Sequence, residues 1–331
     1  MRDSSGRTID YLRISVTDRC NARCVYCMPQ DGVKLLPHSS ILTYEEITFF
    51  VKICAEEGIK HVRLTGGDPL VRKDIAKLIA MIRIVPGIED VRMTTNGLAL
   101  EEQLPGLVAA GLTGVNISLD AIDEKIFSEI TRLPEREHGA AKVLHAVDMA
   151  LSVPNLTVKI NCVPSGRNDK ELVPIALLAK DKNVSVRFIE LMPIGCGTTP
   201  RLEFRSRDTV FQLLNTQLGS LLPCGHDRYE YFRPAGFRGT IGFISPVTRP
   251  FCSTCDRLRL TSDGFIKACL EYPGTSNIKR LLAGGMTDQT ARKIRQVLFE
   301  TIAHKPDGNN FGCTGQFVTV KENRTMNQIG G

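Results

Sequence analysis

The sequence predicts a parallel α/β fold: a partial (β/α)6 TIM-like barrel followed by a C-terminal α+β extension. Three observations carry this expectation. Stretches of strand and helix character alternate six times up to residue 190, the pattern of βα units feeding a parallel sheet. The strands also carry polar residues, namely Arg13, Arg63, Asn116, Ser118, Lys159, Asn161 and Arg187. A parallel strand covered on both faces should be almost wholly apolar, so these side chains suit a wide bore that holds a ligand. Finally, chemically useful residues fall at the carboxyl ends of the strands, where such barrels place their sites. They are a cysteine loop at 20–27, Gly66-Gly67, Thr94-Thr95-Asn96, Ser118-Leu119-Asp120 and Met192.

Taken in order, Tyr11-Leu12-Arg13-Ile14-Ser15-Val16 alternates apolar and polar residues as a half-buried strand does. Thr43 and Glu46 have the spacing of a capping box, Ile47, Phe50, Val51, Cys54 and Ala55 follow at helical spacing, and Gly58 ends that helix. Residues 61–65 read as the second strand, closed by Gly66-Gly67-Asp68-Pro69. Helix 74–84 leads to strand 91–95, helix 101–110 to strand 115–119, helix 137–151 to strand 157–163, and helix 168–180 to strand 184–190. Around residue 200 the rhythm changes, which divides the chain into a barrel over 1–200 and a second region over 201–331. In that region Ser206 or Asp208 can cap a helix reaching about Leu218, and strands are expected at 229–233 and 240–244. Residues 288–303 form a basic amphipathic helix through Ile294, Val297, Leu298 and Ile302.

Composition narrows the class. The chain of 331 residues is 42% apolar, enough for a sizeable core. Its longest apolar stretch, 172–179, is broken by Pro174 and too short to cross a bilayer, and Met1-Arg2-Asp3-Ser4-Ser5 is no secretory signal. A cytoplasmic protein is expected. Eleven cysteines without an export signal argue against a disulfide framework. The net charge of +6 suits a small anionic substrate but is too weak to imply nucleic acid, and the absence of Trp leaves no evident base-stacking platform.

Six cysteines fall into two groups. Cys20, Cys24 and Cys27 are spaced C-x3-C-x2-C, enough to hold three corners of an iron–sulfur cube and leave one iron open. A zinc clip or a redox thiol pair fits the same spacing. Cys252, Cys255 and Cys269 form the second group, and a zinc ribbon there would need a partner for the lone Cys269. The default for Cys54, Cys162, Cys196, Cys224 and Cys313 is a buried small hydrophobe. Arg257 and Arg259 flank Leu258 and project to one side, as two phosphate clamps or a solvated strand face would. Lys159 shares a face with Asn161, and a lysine in a buried strand rarely lacks an anionic partner. By local rules Gly330-Gly331 is a frayed end.

Together YLRISVTDRCNARCVYCMP, LTGGDPL, TTNG, the second triplet with Arg257-Leu258-Arg259, and the terminal Gly-Gly carry a resemblance over essentially the full length. The chain resembles the radical S-adenosylmethionine enzymes, and within them the branch that cyclises GTP at the first step of molybdenum cofactor biosynthesis. The resemblance implies that Cys20, Cys24 and Cys27 hold a 4Fe–4S cluster whose fourth iron chelates S-adenosylmethionine, with Tyr26, Gly67, Ser118 and Met192 binding that cofactor. It implies a second 4Fe–4S cluster on Cys252, Cys255 and Cys269, whose open iron meets guanine. Arg13, Arg63, Thr94, Lys159, Arg187, Arg257 and Arg259 would bind or surround GTP, and a tail ending in Gly330 and Gly331 would join Arg13 at the reacting site. A 5′-deoxyadenosyl radical would take hydrogen from ribose C3′, and the sugar carbon would attack guanine C8. The implied partners are GTP, an electron donor such as a flavodoxin or ferredoxin, a downstream cyclic pyranopterin phosphate synthase and a second copy of the chain, with no nucleic acid and no membrane.

Two positions depart from that family's usual pattern. Asp68 stands where GGEP is usual, and His61 stands where many relatives carry Lys, so the latter position supplies no fixed charge at pH 7. A radical enzyme that matures a peptide is the nearest competing reading; such relatives usually carry a longer cysteine-rich appendix. A zinc-stapled interaction module is the third, and metal content separates it.

Overall fold

The computed structural model describes residues 1–225, 229–311 and 322–330. Strands β1 (Tyr11–Ser15), β2 (His61–Thr65), β3 (Asp90–Thr95), β4 (Gly114–Ser118), β5 (Thr157–Cys162) and β6 (Ser185–Ile189) lie side by side in chain order, all parallel. Helices α1 (Tyr44–Glu56), α2 (Ile75–Arg83), α3 (Leu100–Ala109), α4 (Glu124–Thr131), α5 (Gly139–Ser152) and α6 (Leu172–Asp181) connect them. The capping box of α1 is formed: the Glu46 amide donates to the Thr43 hydroxyl at 3.1 Å, and the Thr43 amide donates to the Glu46 carboxylate at 2.7 Å. Gly58 follows this helix at φ +96°, a conformation that favours glycine.

The second region completes the sheet. It contains α7 (Arg207–Leu218), β7 (Leu221–Pro223), β8 (Glu230–Pro234), β9 (Thr240–Ile244), β10 (Arg257–Leu260), β11 (Phe265–Lys267), β12 (Ser276–Asn277), α8 (Ile278–Leu282), α9 (Asp288–Ala303) and α10 (Met326–Ile329). Strand β9 pairs parallel to β6 and β10 parallel to β1, so eight parallel strands stand where the sequence suggests six. The short strands β7, β8, β11 and β12 extend both edges in antiparallel fashion.

Two local differences from expectation have physical causes. Helix α4 is short and its polar face is broad, so periodicity conceals it; the Asp123 carboxylate caps it, accepting from the Ile126 amide at 2.9 Å. Helix α6 starts at Leu172 because Asp169–Glu171 forms a 3₁₀ turn, which leaves Pro174 in the first helical turn, where a missing N–H costs nothing.

Alternation sorts the strands into two faces. Leu12, Ile14, Val62, Leu64, Val91, Met93, Val115 and Ile117 are fully buried under the helices. Each such side chain contributes roughly 1.5–3 kcal/mol of apolar burial. The opposite face holds the polar residues. In a flat sheet β2 and β6 would lie roughly 20 Å apart, yet the Arg187 guanidinium feels the charge of Arg63. The sheet therefore curls, and its polar face lines a bore. Among the described residues no helix is long and apolar enough to cross a membrane.

Candidate active site

The register of the parallel strands arranges the bore in rows. The lowest, at the amino ends, runs Arg257, Tyr11, His61, Asp90. Above it lie Arg259, Arg13, Arg63 and Arg92, with Lys267 of β11 beside Arg259. The next row carries Thr94, Asn116, Lys159 and Ser185, and the one above it Ser118, Asn161 and Arg187.

The two cysteine groups lie at opposite ends of this bore. Cys20, Cys24 and Cys27 follow the carboxyl end of β1, whereas Cys252 and Cys255 precede the amino end of the parallel β10. Cys269 follows β11, which runs antiparallel to β10 and so returns to the lower end.

The upper loop is held by three neighbours. The end of α4 clamps it: the Arg23 amide donates to the Thr131 carbonyl and the Val25 amide to the Ile130 carbonyl, both at 2.9 Å, and the Arg132 guanidinium donates to the Arg23 and Met28 carbonyls. The turn after β2 lies against it: the Gly67 amide donates to the Thr17 carbonyl and the Asp68 amide to the Arg19 carbonyl, both at 2.8 Å. A Cβ at Gly67 would stand 2.1 Å from the Arg19 carbonyl oxygen, so no larger residue fits this approach. Asn96 supplies the third contact, donating to Asn21 Oδ1 at 2.7 Å and to the Cys20 sulfur at 3.7 Å.

Asp68 fits its position despite being shorter than the glutamate usual there. It accepts from the Thr95 hydroxyl and from the amides of Asn96 and Leu70 at 2.6–3.0 Å. Burial pushes its carboxyl up to about 6 against those donors. Tyr26 donates to Asp120 Oδ2 at 2.5 Å, and Asp120 also accepts from the Val163 amide at 2.7 Å. Burial raises Asp120 to about 6 as well.

The donor chemistry of both triplets suits iron–sulfur clusters. The thiols of each group lie close enough to repel one another's charge: burial, then Cys20 and Cys27, drives Cys24 far up, and burial, then Cys269 and Cys255, raises Cys252. The Ala22 amide and Asn96 point at the Cys20 sulfur, and Asn309 donates to that of Cys252 at 3.6 Å. Among the described residues no three His, Cys, Asp or Glu groups converge on a point for one metal ion. The ligands of a cube bind separate irons and need no such point. Of the remaining cysteines, Cys54 and Cys162 are buried, Cys196 and Cys224 are half-buried, and Cys313 lies outside the described residues.

The cationic rows form the middle of the site. Burial, then the charges of Arg63 and Arg187, lowers Arg13 to about 10, and burial lowers Arg187 likewise. Arg259 is depressed further by burial, Arg13 and Arg257. Buried guanidiniums that crowd one another make this part of the bore strongly cationic. Arg187 donates twice to Asn161 Oδ1, at 3.0 and 2.6 Å, and Arg63 donates to Thr94 Oγ1 at 3.4 Å. The Lys159 ammonium stands 5.9 Å from the centre of the Tyr231 ring, and Arg257 lies over the Tyr229 and Phe251 rings at about 5.5 Å. His61 is paired through Nδ1 with Asp90 at 2.7 Å. Ser118 closes β4, and Met192 packs against the apolar cluster of Ile194, Val247, Leu270, Phe311 and Ile329 beyond β6.

The tail runs between the upper cysteine loop and the arginine row. The Asn327 amide donates to the Cys27 sulfur, and its side chain donates to the Asp18 carbonyl at 2.9 Å. The Gly330 carbonyl accepts from Arg259 Nη1 at 2.8 Å. Gly330 has φ +70°, and a Cβ there would lie 2.6 Å from Thr65 Oγ1. At the other end of the tail, Lys267 pairs with Glu322, both buried. Gly331 lies outside the described residues.

Sequence reasoning missed Tyr11, whose hydroxyl accepts from the Arg63 guanidinium within the bore, and also Asn327 and Arg92. Tyr11 and Arg92 carried a signal, because they alternate with the same apolar residues that marked Arg13 and Thr94. Asn327 carried none.

Residues 14–179 match the Radical SAM superfamily model, and residues 184–311 match Molybdenum Cofactor Synthesis C. Among solved structures, Streptococcus suis SuiB bound to S-adenosylmethionine superposes with a TM-score of 0.58 at 14% identity, covering 87% of this chain and 68% of that one, a likeness of fold. Among curated proteins, the GTP 3′,8-cyclase of Listeria monocytogenes is 40% identical over 341 residues, covering 100% of this chain and 99% of that one. The GTP 3′,8-cyclase of Thermodesulfovibrio yellowstonii is 40% identical over 336 residues, covering both chains completely. The chain belongs to the GTP 3′,8-cyclase family of the radical S-adenosylmethionine superfamily.

Proposed function

We propose that this chain converts GTP to (8S)-3′,8-cyclo-7,8-dihydroguanosine 5′-triphosphate, the first step of molybdenum cofactor biosynthesis. One observation supports this above the rest: two cysteine triplets stand at opposite ends of a bore walled by a register row of arginines. Barrel residues 1–200 would serve the cofactor and share the substrate with residues 201–331, which would add the second cluster; the two regions meet along β1 and β10 and along β6 and β9.

Cys20, Cys24 and Cys27 would hold one 4Fe–4S cluster, and Cys252, Cys255 and Cys269 the other. The first, with S-adenosylmethionine, supplies the one-electron cleavage that permits hydrogen abstraction from the ribose. Tyr26, Gly67, Ser118 and Met192 would bind that cofactor. Arg13, Arg63, Thr94, Lys159, Arg187, Arg257 and Arg259 would hold GTP. Each guanidinium-to-phosphate bond contributes about 1.5–3 kcal/mol, and the buried arginines have already lost their water, so the anion meets donors that need no reorganisation. The tail would close the space between cofactor and substrate, its Gly330 carbonyl accepting from the Arg259 guanidinium. Gly331 is the other tail residue assigned to the reacting site.

The reading brings with it an electron donor such as a flavodoxin or ferredoxin, a downstream cyclic pyranopterin phosphate synthase, a cytoplasmic setting and a homodimer. The deciding experiment is anaerobic incubation of reconstituted protein with S-adenosylmethionine, reductant and GTP. The expected products are 5′-deoxyadenosine and a cyclised nucleotide. Protein that cleaves the cofactor but leaves GTP unchanged would overturn the substrate assignment.

A further inference from the structure

The row Arg259, Arg13, Arg63 continues on the next strand with Arg92, so four adjacent strands each place an arginine at one level. Arg92 faces the bore: Val91 and Met93 are buried under the helices, while Asp90, Arg92 and Thr94 share the other face, and Thr94 accepts from Arg63. Its neighbour in the row is Gly114, and a Cβ there would come within 3.4 Å of the Arg92 Cγ, so glycine lets the arginine stem lie flat against β4. Its side chain remains 32% exposed, within reach of a ligand.

Asp90 holds this arginine. Arg92 Nε stands 3.0 Å from Asp90 Oδ1, and Asp90 Oδ2 also meets His61 Nδ1 at 2.7 Å. The carboxylate is shared between His61 and Arg92, and of these two Arg92 is the fixed cation at this corner of the bore. Lys159, the cation two strands further round, stands one row higher. A phosphate chain bound by Arg13 and Arg63 and running towards Lys159 passes Arg92.

We propose that Arg92 binds the distal phosphates of GTP and makes the site sensitive to phosphate-chain length. This rests on the GTP reading above. A purely structural ion pair with Asp90 is the competing explanation, and it predicts no dependence on phosphate number.

The test compares GTP and GMP affinity by equilibrium dialysis on anaerobically reconstituted wild type, Arg92→Ala, Arg92→Gln and Arg92→Lys, with iron content and melting temperature recorded. We expect Arg92→Ala and Arg92→Gln to weaken GTP binding roughly ten- to hundredfold, GMP binding to change less than about threefold, and Arg92→Lys to recover most of the loss. Equal weakening of GTP and GMP, or unchanged GTP binding in both neutral variants, overturns the inference. Wild-type protein that binds GTP and cyclises it leaves the functional reading standing in either case. Wild-type protein that binds no GTP overturns both.

Discussion

Replacing Glu322 with Gln removes the counter-ion of Lys267 in the most enclosed ion pair of the tail, where the two side chains are 0% and 3% exposed. Keeping an unpaired ammonium there would cost about 3–5 kcal/mol. Lys267 has a cheaper escape, because burial already pulls its ammonium down to about 8 even with Glu322 present. Shedding the proton at pH 7 then costs about 1.4 kcal/mol at most, so the expected loss, with the weakened hydrogen bond, is about 1.5–3 kcal/mol. Other tail contacts include the Arg259–Gly330 bond, the Asn327–Asp18 bond and buried Ile329. They contribute roughly 4–7 kcal/mol together. The tail should therefore stay docked and open more often. Hydrogen exchange of the tail amides should speed up roughly ten- to hundredfold, with little change in β2–β5. Lys267→Met should do less, because Glu322 keeps Arg324 Nε at 3.2 Å. Unchanged tail exchange in Glu322→Gln, or equal acceleration across the barrel, would refute the reasoning.

Cys24→Ala and Cys255→Ala should each lose about half of roughly eight irons on anaerobic reconstitution; stoichiometric zinc without charge-transfer absorption would contradict both assignments. Asp120 is raised from 3.8 to about 6 by burial, so its ionised form is disfavoured by about 3 kcal/mol. The native state holds this proton more tightly than the unfolded chain, so stability should fall between about pH 4 and pH 6 and level off above. Asp120→Asn should flatten that slope in melts of the cluster-free protein, without lowering the melting temperature at pH 7.5. Gly330→Ala places a methyl group against Thr65 and Ser15 at positive φ; product formation should drop sharply while iron content stays unchanged, and normal turnover would remove the tail from the reaction.

Much of this was legible because barrel strands write both their faces into alternation. Arg13, Arg63, Lys159 and Arg187 stood out as polar interruptions between residues such as Leu12, Leu64, Val158 and Val186, and all lie on the bore. What escaped reading depends on distant pairing. Strand β11 has three residues and β12 two, too few for a period to show. Helix α10 is a single turn whose capping box, Thr325 with Gln328, forms where the tail docks onto Asp18 and Arg259. Nothing local marks the Lys267–Glu322 pair, which joins residues far apart in the chain. Local rules would discard Gly330 as frayed; the structure instead buries it, because its carbonyl meets a guanidinium.

The placement of β9 and β10 has a consequence for how the chain is made. Both strands that flank the first six come from the second region, so during synthesis β1 and β6 emerge with one unpaired edge each. At ribosomal speeds β1 waits on the order of ten seconds or more for Leu260 to be added, long enough for exposed strand edges to find wrong partners. Neither edge can be sealed by anything made earlier. The nascent barrel is therefore a natural client for a chaperone until its clasp arrives, and a chain truncated before β10 should aggregate rather than persist as a smaller working barrel.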